Sequence, residues 1–250
     1  MIRLFVLVFA LLYGVDVMAI SEGLVAGYNQ GNAHYRKGEY DAAIVAYKQV
    51  LAQGLENSDV FYNLGNAYYK AGQLGRAILA YERALKLKPD DEDIRTNLRF
   101  VNAQKLDKDP EDDANVLTRF LRAIYIFFSI NVLTIVLSIC VFAGCALGIG
   151  WVFVPLRKWL WIGALIVVGA GMICSGSMLG LKIYQADISQ AIVLSSEVVA
   201  RSGPGEDFLQ VFTLHEGTKV VIERREGEWF LVRLTSGVGG WLRAQSLEGI

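Results

Sequence analysis

The sequence predicts a multi-domain chain: an α-helical repeat stack, a hairpin of two membrane-spanning helices, and a small all-β barrel. Three observations predict it. A block of residues recurs at an offset of 34 within residues 24–91, two long apolar runs lie between residues 120 and 184, and short β-rich runs separated by glycines fill residues 190–250. The hydrophobic content is 54% and the mean hydropathy is +0.37, and the excess is concentrated in residues 1–19 and 120–184. A net charge of −1 supplies no basic field for nucleic acid.

Residues 1–19 have the layout of an export signal. Arg3 gives a positive start, Leu4 to Leu12 is apolar, and Val17-Met18-Ala19 is a small-residue cleavage site. An uncleaved anchor helix is the other reading, and both place residue 20 onward outside the cytoplasm. A mature chain beginning at Ile20 distinguishes the two.

The repeat occupies residues 20–106 together with a closing helix. Gln30 to Tyr40 aligns with Leu64 to Leu74 and shares Gly31/Gly65, Asn32/Asn66, Ala33/Ala67, Tyr35/Tyr69 and Gly38/Gly72. The match continues through Ala43/Ala77, Ile44/Ile78 and Tyr47/Tyr81, and Pro89 ends the second copy. Residues 92–106 read as a capping helix, because Ile94, Leu98 and Val101 recur at helical spacing behind Asp90 and Asp91. These residues closely resemble the tetratricopeptide repeat. The resemblance implies helix–turn–helix units in which the small residues permit close approach and Tyr47 and Tyr81 fill the space between units. Such stacks usually need three repeats, so a two-repeat stack is expected to pair with a second copy or a partner protein.

In that family the first helices of the units line a concave binding surface. Here they carry Tyr28, Asn29, Asn32 and Tyr35, then Tyr62, Asn63, Asn66 and Tyr69, then Asn97. Asn29, Asn63 and Asn97 recur every 34 residues. Their amides offer donors and acceptors to an extended peptide backbone, and the tyrosines add contact area at low entropy cost. The alternative is that these asparagines only stabilise helix–helix contacts. Some family members clamp a carboxylate with basic residues beside such asparagines. Asn32 and Asn63 match the asparagines, but Tyr28, Asp93 and Asn97 stand where cations belong.

Residues 107–119 read as an acidic, solvated linker containing Pro110. The apolar runs at about 123–147 and 160–184 are each long enough for a ~30 Å hydrocarbon core. Pro155 breaks them, and Arg157 and Lys158 favour a cytoplasmic turn, although Arg119, Arg122 and Lys182 flank the opposite ends. The pairs Gly144/Gly148 and Gly176/Gly180 suit close helix packing. No Asp, Glu, Lys or His lies deep in either run, which disfavours transport. Cys140, Cys145 and Cys174 all fall in these runs and read as small hydrophobes.

Residues 190–250 hold β-rich runs with their glycine turns at 198–205, 209–214, 217–222, 228–234 and 239–242. The Arg201-Ser202-Gly203-Pro204-Gly205 loop, Trp229 with Val232-Arg233, and Gly240-Trp241-Leu242 resemble the bacterial SH3-like domain. That resemblance implies a closed barrel that binds cell-wall peptides or proteins or acts as a spacer. Phe208 and Trp229 are its candidate ligand face; Trp241 and Val232 read as core.

No catalytic residue, metal site or cofactor is predicted. His34 and His215 are the only histidines, and no phosphate loop or nucleophile elbow occurs. The order of modules resembles the BatE-type proteins of the Bacteroides-aerotolerance group. The resemblance implies a non-enzymatic scaffold in the inner (cytoplasmic) membrane, with its soluble parts on the periplasmic side. It would act beside Bat-type membrane proteins in envelope or oxidative stress tolerance. A cell-wall anchor that binds peptidoglycan through the SH3-like module is the second reading, and self-association is allowed by either.

Overall fold

A computed structural model of the chain describes residues 23–54, 56–108, 115–153, 157–186 and 189–250. The predicted export signal, residues 154–156 around Pro155 and residues 109–114 of the predicted linker lie outside the described residues. The chain divides into two units. One combines the helical stack with the C-terminal sheet, within Met1–Pro110 and Ser189–Ile250, and the other is Glu111–Ile188.

In the first unit, α1 is helical over 23–36, followed by α2 (Tyr40–Ala52), α3 (Ser58–Lys70), α4 (Leu74–Leu87) and α5 (Glu92–Asn102). Gly38 and Gly72 close the α1–α2 and α3–α4 turns at φ 79° and 75°, a conformation that a Cβ would strain. Asn57 caps α3 by accepting from Asp59 N and Val60 N, and Asp91 caps α5 by accepting from Asp93 N and Ile94 N. Tyr47 and Tyr81 are almost fully buried between helices. A Cβ at Gly31 would stand 2.5 Å from the Tyr47 ring, and one at Gly65 would stand 2.8 Å from the Tyr81 ring. The glycines are therefore the sockets for the tyrosines, and each buried ring contributes on the order of 2–3 kcal/mol.

The C-terminal segment forms seven strands: β1 (Gln190–Val193), β2 (Glu197–Arg201), β3 (Gln210–His215), β4 (Lys219–Glu226), β5 (Trp229–Arg233), β6 (Gly239–Arg243) and β7 (Leu247–Gly249). They pair in the order β3-β2-β6-β5-β4-β1-β7, and every pairing is antiparallel. The ladder does not close, which corrects the closed barrel expected from the sequence. Its β7 edge is taken by the helical stack instead. Arg83 and Lys86 of α4 donate to the carbonyls of Gly249 and Ile250 at 2.5 and 3.0 Å. Val232, Leu242 and Trp241 are buried within the sheet module.

The short stack is thus not left bare. Strand β1 is buried on both faces: Ala191 and Val193 join the sheet core, while Ile192 joins the core of the helical stack. Helix α4 has no side-chain cap of its own; Glu216 Oε2 accepts from Gly75 N at 3.0 Å and supplies a negative charge at the helix start. Lys219 and Glu82 pair at 2.9 Å. Gly75 and Gly217 permit the approach, since a Cβ at Gly75 would come within 3.0 Å of Val193 O and one at Gly217 within 2.6 Å of Ile78 Cδ1.

Asp107, read from sequence as part of a solvated linker, belongs to this junction. Its Oδ2 accepts from His215 N at 2.7 Å and Thr218 Oγ1 at 2.6 Å, and its Oδ1 lies 2.9 Å from His215 Nδ1. Burial alone would raise the Asp107 carboxyl. The hydrogen bonds from Thr218 and from the His215 backbone and ring outweigh burial and hold it below its ordinary 3.8. A depressed carboxyl contributes stability that is complete above the unfolded value and is lost as pH falls through the folded one. Asp107→Ala should weaken the junction by about 1–3 kcal/mol by leaving the His215 N–H without its acceptor, while the Thr218 hydroxyl keeps the His215 carbonyl at 2.8 Å. Faster amide exchange of residues 215–219 at neutral pH, with the difference from the parent vanishing in strong acid, is the measurement.

The second unit contains α6 (Val116–Phe127), α7 (Ile130–Phe153) and α8 (Lys158–Ala186), with α7 packed on α8. Helices α7 and α8 are long and apolar enough to cross a membrane. Of the predicted glycine pairs, only Gly144 lies at a close contact between them. A Cβ at Gly150 would meet the Trp161 ring at 2.4 Å, one at Gly171 would meet Cys140 Sγ at 3.1 Å, and one at Gly144 would meet Met172 Cε at 3.0 Å. Gly148, Gly176 and Gly180 have open space.

Candidate functional site: the shared face of α1, α3 and α5

Helices α1, α3 and α5 are joined by a hydrogen-bonded unit that occurs twice. In the first copy the Tyr47 hydroxyl donates to Asn32 Oδ1 at 2.7 Å, and Asn63 Nδ2 donates to Asn32 Oδ1 at 3.2 Å and to the Tyr28 hydroxyl at 2.8 Å. In the second the Tyr81 hydroxyl donates to Asn66 Oδ1 at 2.7 Å, and Asn97 Nδ2 donates to Asn66 Oδ1 at 3.1 Å and to the Tyr62 hydroxyl at 3.0 Å. Each step of 34 residues in sequence becomes one helix of displacement in space. Burial pushes the Tyr47 hydroxyl up to about 12, and burial likewise raises Tyr81, as expected for neutral donors between packed helices.

Six of the nine predicted contact residues therefore spend hydrogen bonds on one another: Tyr28, Asn32, Asn63, Tyr62, Asn66 and Asn97. The spending is incomplete. Asn32 Nδ2, Asn66 Nδ2, Asn63 Oδ1 and Asn97 Oδ1 have no protein partner among the described residues. Asn29 stands where Asn63 and Asn97 stand in later units, but no described helix precedes it, and its side chain is exposed. Tyr35 packs edge-on against Tyr40, and Tyr69 packs edge-on against Phe100, both with ring centroids 5.5 Å apart. The Tyr69 hydroxyl also accepts from Gln104 Nε2 at 3.2 Å.

The predicted ligand face of the sheet is arranged differently. Phe208 lies over Gly203 and Gly205, where a Cβ would come within 2.3 and 3.2 Å of its ring. Trp229 lies under the Arg243 guanidinium, 5.4 Å from ring centre to charge. Between them Glu206 binds Arg201 at 2.6 Å and Arg243 at 2.5 Å. The hydrogen bond from Arg243, with the Arg201 charge, holds the Glu206 carboxyl below its usual range. Both aromatics thus support an ion-paired cluster.

One feature went unread in the sequence. A groove of about 650 Å³ lies between α2, α3, α4 and the β7 end, floored by Phe61, Leu64, Tyr68 and Leu79 and rimmed by Lys48 and Arg76. The signal was available only as charges on the outer faces of α2 and α4, which ordinary solvated helices also carry. His34 and His215 each pair with one carboxylate, Glu39 and Asp107. Among the described residues no three His, Cys, Asp or Glu converge on a common point.

A family model described as the tetratricopeptide repeat matches residues 28–92, about a quarter of the chain. No curated protein sequence matches. Among solved structures, the first tetratricopeptide domain of Spaghetti (RPAP3) bound to the HSP90 peptide SRMEEVD is similar at 19% identity and a TM-score of 0.23, covering 34% of this chain and 94% of that one. The Sgt2 tetratricopeptide domain from Aspergillus fumigatus is similar at 19% identity and a TM-score of 0.23, covering 38% of this chain and 93% of that one. The family match and the doubled Tyr–Asn unit agree that residues 28–92 carry tetratricopeptide repeats.

Proposed function

We propose that the chain is a membrane-anchored interaction scaffold without catalytic activity. Its α1/α3/α5 face holds an extended segment of a partner protein. The observation that carries this reading is the regular residue of unspent amide groups. Each repeat leaves one amide donor and one amide acceptor beside half-buried tyrosine rings, a pattern suited to successive peptide groups of an extended chain. Asn29, Tyr35 and Tyr69 extend this face. Helices α7 and α8 are the anchor; two spans return the chain to the side it left, so both soluble parts lie on one side. The export-signal layout of residues 1–19 favours the periplasmic side of the inner membrane. The module order favours Bat-type partners in envelope stress, and the loop and tryptophan positions of the sheet favour an SH3-like origin.

A photo-crosslinking amino acid placed at Tyr35 or Asn29 of the full chain in its native membrane tests the proposal. A discrete protein adduct is expected at both positions, and none at Val45, which is exposed on α2. Adducts of equal yield at all three positions, or at none, would overturn it.

A further inference from the structure

We infer that α6 lies in the plane of a membrane surface and that its partner is an anionic lipid bilayer. The inference rests on the reading that α7 and α8 cross the membrane. Twelve residues make α6 about 18 Å long at 1.5 Å per residue, too short for a hydrocarbon core of ~30 Å. It is also separate from α7. Phe128 adopts an extended conformation (φ −86°, ψ 109°), and Ser129 caps the new helix by accepting from Val132 N at 3.3 Å.

Unlike the two long helices, which are apolar all round, α6 is two-sided. At about 100° per residue, Val116, Leu117, Phe120, Leu121 and Phe127 share one arc, and positions 118, 119 and 122 (Thr, Arg, Arg) lie on the opposite one, with Ile126 among them. The apolar arc is not covered by protein: Val116 is 83% exposed, Phe120 60% and Phe127 81%. Two residues further along the chain begins α7, whose exterior is likewise apolar and exposed, so one apolar environment suits both helices.

The helix is fixed at one end of the hairpin. Lys182, in the last turns of α8, places its ammonium 4.5 Å from the centre of the Tyr125 ring. Tyr125 lies at the border of the polar arc. The contact therefore sets α6 at the level where α7 begins and α8 ends, beside Lys182. The Lys182 ammonium at that level, with arginine positions 119 and 122 on the polar arc, matches headgroup phosphates, and the apolar arc matches the outermost acyl carbons.

The test uses the full chain with Cys140, Cys145 and Cys174 replaced by serine. It is reconstituted in phosphatidylcholine vesicles with and without phosphatidylglycerol. Single cysteines at Thr118, Phe120 and Leu121 carry an environment-sensitive fluorophore, and Val141 and Ile173, at mid-helix of α7 and α8, serve as depth references. Phe120 and Leu121 should be quenched by a spin label near the acyl carbonyl, and Thr118 by aqueous iodide. Reversing Arg119 and Arg122 to glutamate should raise iodide quenching at Phe120 by about twofold or more in phosphatidylglycerol vesicles, but not in phosphatidylcholine alone. Iodide quenching of Phe120 equal to that of Thr118, with Val141 and Ile173 deep, would overturn the inference and spare the membrane reading. Quenching of Phe120 by a label at the acyl terminus would make α6 an inserted segment and also overturn it. Charge reversal without effect would remove the anionic requirement. Aqueous exposure of Val141 and Ile173 would overturn the membrane reading itself.

Discussion

Gly217→Ala should loosen the docking of the sheet on α4 by about 2–4 kcal/mol, among the largest effects of any single methyl in the protein. Two costs combine. Gly217 sits at φ 86°, where an L side chain is strained, and its new Cβ would stand 2.6 Å from Ile78 Cδ1. Ile78 is 1% exposed and packed on all sides, so it has little room to yield. The two costs separate experimentally. Gly38→Ala imposes the same backbone strain at φ 79° with nothing nearby, and should cost only about 1 kcal/mol. Ile78→Val deletes the clashing Cδ1, at about 0.5–1.5 kcal/mol on its own, so the Gly217→Ala/Ile78→Val double variant should be less destabilised than the sum of the singles. Local amide exchange of residues 74–87 and 190–193 reads the opening directly and does not require the membrane unit to unfold. Simple additivity would show that the methyl finds space and that strain at φ 86° is the whole effect.

The helical stack was legible because its determinants are local and repeated. The glycine sockets, the tyrosines that fill them and the turn glycines all stand at the same offset, so each position supports the next. The sheet was legible as strands but not as a topology. Whether β3 meets β7 depends on what else binds β7, and Arg83 and Lys86 stand more than 160 residues away in sequence. The run Ala191-Ile192-Val193-Leu194 did carry a signal, since continuous apolar residues in a strand indicate burial on both faces. It reads as a strand only once a helix is known to cover its second face. The first apolar helix was placed about seven residues early, from 123 rather than from Ile130. Hydropathy runs straight through Tyr125 to Phe128, whereas the break is set by a backbone turn and the Ser129 cap.

The candidate site was legible in its residues but not in their bonding. The 34-residue recurrence selected Asn29, Asn63 and Asn97 as equivalent. It did not show that an asparagine of one unit reaches Tyr28 or Tyr62 of the unit before. Packing decides the difference: a half-buried amide between helices binds its neighbours first, and only its remaining valences are open to a ligand. Asp107 is the reverse case. A run of acidic residues around Pro110 indicates solvent, but one carboxylate at its start meets two donors of a β-turn and leaves the linker for the junction.

Asn66→Leu should destabilise the stack more than Tyr81→Phe, although the second removes the better-buried group. Leucine is close to asparagine in volume but accepts nothing. It strands the Tyr81 hydroxyl, on a side chain 2% exposed, and deprives Asn97 Nδ2 of one of its two acceptors. A buried donor left unpaired costs about 2–3 kcal/mol. Tyr81→Phe removes donor and bond together and leaves Asn66 Oδ1 still paired with Asn97, for about 0.5–1.5 kcal/mol. The Asn66→Leu/Tyr81→Phe double variant should therefore recover about 1 kcal/mol or more relative to Asn66→Leu alone. Thermal denaturation of the reconstituted chain, followed by exchange of residues 58–87, orders the three variants. An Asn66→Leu variant no weaker than Tyr81→Phe would mean that water reaches the Tyr81 hydroxyl and that the seam is wet. The double variant also separates fold from binding. It restores the seam but still lacks the Asn66 Nδ2 donor, so loss of the Tyr35 crosslink in that background is loss of a ligand contact rather than of the helices that frame it.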